Sequence, residues 1–205
     1  MAEAVATESS EISAPADATP VPKLAQRDGA IALAAISLWA AADTWHATTG
    51  LGLAAAVALL DAIFAGAALA ILAHEWGHFA GARLFGGIAP TRKLTSLFPI
   101  FDFDLTRSPA AAFRAMGVGG NLGHWGLVLL LAVGLPLDSV GRIALLSAAF
   151  GFAVGASITE FPIIRRAYAG ASAAESFAGL SREKLNRDRW MGVGAGVALF
   201  ILLAL

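Results

Sequence analysis

The chain has 205 residues, of which 58% are hydrophobic and only 14% charged, with a formal net charge of −1. A soluble domain carries roughly a quarter charged residues, so this composition excludes an ordinary soluble protein and points to an integral membrane protein. The near-zero charge offers no basic surface for nucleic acid, and the absence of cysteine excludes disulfides, thiolate metal sites and a cysteine nucleophile.

Met1 to Pro22 is rich in Ala, Ser, Thr, Glu and Pro and lacks a basic segment followed by an apolar core, so it does not read as a signal peptide. Residues 1–28 are expected to form a disordered tail. The first apolar run, Ala30 to about Ala42, is short for a span of ~20 residues and is expected to extend into Trp45–Thr48, with Trp45 and His46 at the interface. A second run, Ala54 to Leu84, is longer than one span requires. The segment Ile88 to Ala115 is more polar, and within it Leu97–Leu105 nearly alternates as a strand or hairpin does. Ser108-Pro109 reads as a helix start with Ser108 as N-cap. Further runs cover about Val118 to Leu135, Ile143 to Ile164 and Trp190 to Leu205.

Lys and Arg fall in alternate loops. By the positive-inside rule this predicts five spans and a cytoplasmic N-terminus, and the expected location is the cell (inner) membrane. With that topology His74, His78, Asn121, His124 and Glu160 lie at one depth near the cytoplasmic face, and Asp138 lies at the opposite face.

Polar groups are expensive in an apolar helix and need a reason to be there. His74-Glu75-Trp76-Gly77-His78 is an H-E-x-x-H pattern, whose histidines share a helical face and can bind one metal ion, with Glu75 as general base. Catalytic zinc usually takes a third protein ligand. Glu160 is the first choice, His124 the second and Asp138 a distant third. Asn121 could donate to an oxyanion through its amide. Blander readings stand beside these: Glu160 paired with Arg165 or Arg166, His124 as a packing histidine, Asn121 as a helix cap, and Asp102 and Asp104 as a solvated edge.

His74–Gly86 closely resembles the metal-binding helix of the site-2 protease family of intramembrane zinc metalloproteases. The resemblance continues through Leu97–Leu105 as a membrane-associated β segment, through Ser108-Pro109, and through Gly117-Val118-Gly119-Gly120-Asn121, where Val118 replaces the family's proline. It implies that Asn121 helps hold the substrate or oxyanion. The chain departs from the family at the third ligand: Ser157-Ile158-Thr159-Glu160-Phe161-Pro162 stands where the family carries an aspartate motif, so Glu160 would substitute for the aspartate.

The expected fold is an all-α polytopic membrane protein with about five transmembrane helices, a three-helix metalloprotease core and a short membrane-associated β segment. Its divisions are the tail at 1–28, a transmembrane metalloprotease-like core at 29–164, a cytoplasmic polar segment at 165–189 and a C-terminal transmembrane helix at 190–205. The expected activity is zinc-dependent cleavage of membrane-embedded or membrane-proximal segments of a substrate protein. Two other readings are a non-proteolytic protein of the same fold with a structural or vestigial metal site, and a metal or ion transporter.

Overall fold

The computed structural model describes residues 18–205, and among them there are six helices and no strand. The order is α1 (Val21–Thr49), α2 (Gly52–Leu84), α3 (Ala110–Gly134), α4 (Val140–Tyr168), the single turn α5 (Ala173–Ser176) and α6 (Arg182–Ala204). Three of them, α2, α3 and α4, are long and apolar enough to cross a membrane. Helices α1 and α6 fall short of that measure. Asp43, Trp45 and His46 interrupt the end of α1, and the apolar part of α6, after Arg189, is shorter than the ~20 residues a span needs.

Two sequence expectations change here. Residues 21–28 belong to α1 rather than to a disordered tail, and residues 1–17 of that tail lie outside the described residues. Pro22 sits in the first turn of α1, where its missing N–H costs nothing. Leu24 and Asp28 are buried, and Asp28 accepts from the Trp76 indole at 2.9 Å and pairs with Arg27 at 2.7 Å.

The second change concerns the β segment. Residues 88–104 fold back on themselves, but only as an isolated antiparallel bridge, Thr91 with Phe101. Backbone bonds of 2.9 Å run from Arg92 N to Ile100 O, from Asp102 N to Pro90 O and from Asp104 N to Ile88 O. A fuller ladder is blocked by donors that are missing or used elsewhere. Pro90 has no N–H, Ile88 N donates to Ser108 Oγ at 3.0 Å, and Ile100 N donates to Glu75 Oε2 at 3.3 Å. Ser108 therefore serves this loop rather than capping α3, whose N-cap is Pro109. The following turn is held by Asp104, which accepts from the Thr106 and Arg107 amides and from the Arg107 guanidinium, contacts that keep its carboxyl well below the usual carboxylate range.

Glycine sets the helix packing. Gly77 and Gly81 of α2 face Gly119 and Ala115 of α3, and Gly123 of α3 faces Ala73 of α2, with backbone against backbone. A Cβ at Gly77 would strike Gly119 O, one at Gly81 would strike Ala115 O, and one at Gly123 would strike Ala73 O. Both helices thus carry a small-x-x-x-small stripe, the spacing that lets membrane helices approach closely. Gly151 and Gly155 of α4 meet Gly192 and Gly196 of α6 in the same way. Buried Asp188 of α6 then accepts from Thr159 Oγ1 of α4 at 3.1 Å, with Lys184 and Arg187 as its ion partners. At the opposite end, Asp43 of α1 accepts from Ser139 Oγ at 2.7 Å and pairs with Arg142 of α4 at 3.1 Å.

Gly123→Val is expected to force α2 and α3 apart and to destabilise the protein by about 1–3 kcal/mol, as overpacked cores do. Gly126→Val, on the same helix with open space at its Cβ, should leave stability within about 1 kcal/mol of wild type. Denaturation of both variants in one detergent checks the difference, and equal stability would show that the glycine seam is not a constraint.

Candidate metal centre

The α-helical period places His74 and His78 one turn apart on the face of α2 that meets α3 and α4. Their rings lie edge to face, with centroids 4.2 Å apart. His78 Nδ1 lies 2.7 Å from the Met116 carbonyl. A carbonyl only accepts, so this nitrogen carries the proton and Nε2 of neutral His78 keeps its lone pair. His78 can approach α3 this closely because residue 120 is glycine, where a Cβ would collide with the imidazole.

Glu160 arrives from α4. Its Oε1 lies 3.0 Å from His78 Nε2 and 3.2 Å from His74 Nε2, and the two Nε2 atoms are 3.1 Å apart. These three residues form a group that could hold a metal ion. The arrangement is nearly equilateral and draws on two helices that are distant in sequence. Arg166, one of the cations weighed as a partner for Glu160, instead donates to the Ser176 carbonyl at 2.9 Å.

Further polar residues surround the triangle. The Asn121 amide nitrogen donates to Glu160 Oε2 at 2.7 Å and to Gly117 O at 3.2 Å, and its Oδ1 accepts from Ser157 Oγ at 3.0 Å. Asn121 thus lies in the middle of α3, not at a cap, and both its amide hydrogens are committed. It holds the Glu160 carboxylate rather than offering a free donor to an oxyanion. His124 is fully buried and lies behind His74, with the two Nδ1 atoms 3.0 Å apart. It faces the nitrogen of His74 that points away from the triangle. Asp138 pairs with Arg142 at 2.7 Å near the start of α4, at the far end of that helix from Glu160. Asp102 and Asp104 pair with Arg92 and Arg107 in the loop, as a solvated edge does.

Glu75 is partly buried, and besides its bond from Ile100 N it lines two cavities that meet at the triangle. The larger, of about 810 Å³, runs between α2, α4 and α6 past Ile63, Ile71, Val193 and Phe200. The other, of about 620 Å³, lies under the 97–105 loop against Phe101, Phe103, Phe113 and Ile163. His74, Glu75, Thr159 and Glu160 line both. Sequence reasoning assigned no role to Ser157 or to the indole N–H of Trp125, which donates to Ser157 Oγ at 2.9 Å. The i,i+3 spacing of Ser157 and Glu160 on one helix face was the available signal.

No protein-family model, curated protein or solved structure matches the chain.

Gly120→Ala is expected to displace the His78 imidazole, since its ring atoms would be the nearest neighbours of the new methyl group. Metal affinity should fall by at least ~10-fold, in the range that loss of support around a ligand costs, while helix content by circular dichroism stays unchanged. A metal titration identical to wild type would show that His78 relocates without penalty.

Proposed function

We propose that the chain is an intramembrane zinc endopeptidase that cleaves a membrane-embedded or membrane-proximal segment of another protein. The observation that carries this reading is the convergence of His74 Nε2, His78 Nε2 and Glu160 Oε1 within 3.0–3.2 Å of one another, at the junction of two cavities lined by Glu75. A tetrahedral ion with nitrogen and oxygen ligands at ~2.0–2.2 Å sets those ligands roughly 3.3 Å apart, so the three atoms need to move by only a few tenths of an ångström. Two imidazoles and one carboxylate also make a donor set known at hydrolytic zinc centres. The fixed tautomer of His78 leaves its lone pair facing the site.

A bound zinc ion supplies Lewis acidity and lowers the pKa of water at the site toward ~7. The rest falls to the chain's own side chains. Glu75 accepts a proton from the attacking water and returns it to the leaving amine. To do so it gives up its bond from Ile100 N, which ties the base to the 97–105 loop. Asn121 keeps Glu160 in place through Oε2 and leaves Oε1 toward the ion. The apolar cavity between α2, α4 and α6 accommodates the membrane-embedded part of a substrate, and the cavity under the loop accommodates an unwound stretch beside it.

In this reading α1 and α6 join α2, α3 and α4 as five spans in the cell (inner) membrane. The N-terminus is cytoplasmic, which puts the triangle toward the cytoplasmic side.

Purified protein is expected to hold about one zinc ion per chain. His78→Ala and Glu160→Ala should lose most of it. Glu75→Gln should keep the metal while cleavage of a membrane substrate falls by roughly 10²–10⁴-fold, as loss of a general base does. Elemental analysis beside a cleavage assay decides. Cleavage that survives Glu75→Gln overturns the mechanism, and equal zinc in wild type and Glu160→Ala removes Glu160 from the ligand set.

A further inference from the structure

Hydrogen-bond directions around the triangle can be followed outward from the one group whose role is fixed by charge. Glu160 is a carboxylate and only accepts, so the Asn121 atom 2.7 Å from its Oε2 is the amide N–H₂. Asn121 Oδ1 must then be an acceptor, and Ser157 Oγ is 3.0 Å away, so the Ser157 hydroxyl proton points there. Having spent its proton, Ser157 Oγ can only accept from its other neighbours, the Trp125 indole N–H at 2.9 Å and His124 Nε2 at 3.4 Å. Neutral His124 therefore carries its proton on Nε2 and a lone pair on Nδ1. The His74 Nδ1 atom 3.0 Å away must donate to it, which leaves His74 Nε2 bare. His78 Nε2 is bare as well, because Nδ1 donates to Met116 O. The chain of donors thus ends in two imidazole lone pairs and one carboxylate oxygen aimed at a single point, with no proton left over for it.

We propose that His124 and Ser157 are positioning residues that fix the tautomer of His74, so that Nε2 rather than Nδ1 faces the metal. This rests on the metal reading above. The relay runs from one corner of the triangle to another: His74 Nδ1–H to His124, His124 Nε2–H to Ser157, Ser157 O–H to Asn121, and Asn121 N–H to Glu160. Two of the three ligands are therefore oriented by one connected set of bonds. Phe152 packs edge-on against both His74 and His124, with centroids 5.4 and 5.9 Å away, and His124 has no solvent exposure. Water cannot replace the imidazole at that position without a cavity opening for it.

The test pairs a shape-conserving variant with a function-conserving one. His124→Phe keeps a ring against Phe152 but has no lone pair for His74 Nδ1–H. His124→Gln can accept from His74 through its carbonyl and donate to Ser157 through its amide. Zinc affinity should fall by about 10–100-fold in His124→Phe, as loss of an outer-shell partner does, and recover most of the way in His124→Gln. A packing role predicts the reverse order, and that result overturns the proposal. In parallel, ¹⁵N resonances of ring-labelled wild-type protein report the tautomers directly. The proposal expects His124 protonated at Nε2 and bare at Nδ1, with His74 protonated at Nδ1. A His124 signal with the proton on Nδ1 overturns it, with or without metal present. Wild-type protein that holds no zinc would overturn the metal reading instead, and the tautomer measurement would still decide the relay.

Discussion

Everything at the centre of this protein depends on how a carboxylate and two imidazoles are kept inside an apolar helical layer. An unpaired ionised group there would cost several kcal/mol, and the usual escape is to neutralise or to find partners. Glu160 meets three neighbours: the Asn121 amide of α3 donates to Oε2, and Oε1 lies 3.0–3.2 Å from both histidines of α2, where a bound cation would satisfy the carboxylate oxygen and the two imidazole lone pairs together. The same contacts join α2, α3 and α4 at one level. The site is therefore not an addition to a finished bundle; its polar bonds help to define which faces of these helices meet.

Those bonds form only if the helices come close enough, and side-chain size decides that. A hydrogen bond tolerates an error of a few tenths of an ångström, whereas an alanine at Gly77 or Gly123 would push a methyl group into the facing backbone carbonyl. Gly120 does the same for His78, clearing the space that its imidazole fills on its way to Met116 O. The α4–α6 seam repeats the device one layer out, and Thr159, next to Glu160, is tied through Asp188 to α6. The position of Glu160 along α4 is thus braced from both sides, by Asn121 within the core and by α6 behind it.

Much of this was legible in the sequence. His74, Glu75 and His78 announced themselves by their spacing in an oily run, and counting residues along the apolar runs was enough to bring Glu160 to their level. The bounds of α2 were readable because hydropathy and the closing glycines agree there. What failed did so for local reasons. Leu97–Leu105 alternates as a strand does, but alternation does not reveal that Pro90 lacks a donor or that Ile100 N is drawn to Glu75. Residues 21–28 have tail-like composition, yet Leu24 and Asp28 are buried and Asp28 meets Trp76 across the chain. The Gly-x-x-x-Gly stripes at 77/81, 119/123, 151/155 and 192/196 were visible signals that composition alone does not weigh.

The second rank of residues around the triangle was the least readable part, because its roles depend on direction rather than identity. Asn121 and His124 both looked like groups that could face substrate or metal. Each is instead committed to a neighbour, Asn121 to Glu160 and His124 to His74. A glutamate at the third position fits this arrangement. Its longer side chain gives the carboxylate two separated tasks, with one oxygen turned to the histidines and the other held by the Asn121 amide. In the proposed reaction, with that amide occupied, stabilisation of charge on a substrate carbonyl would fall to a bound ion or to backbone N–H groups near the 97–105 loop. Ile100 N is one such donor, and it is now bound to Glu75. If Glu75 acts as the proposed base, its movement would release that N–H between Pro99 and Phe101, which line the cavity under the loop. Freeing the base and exposing a donor would then be two consequences of breaking a single hydrogen bond.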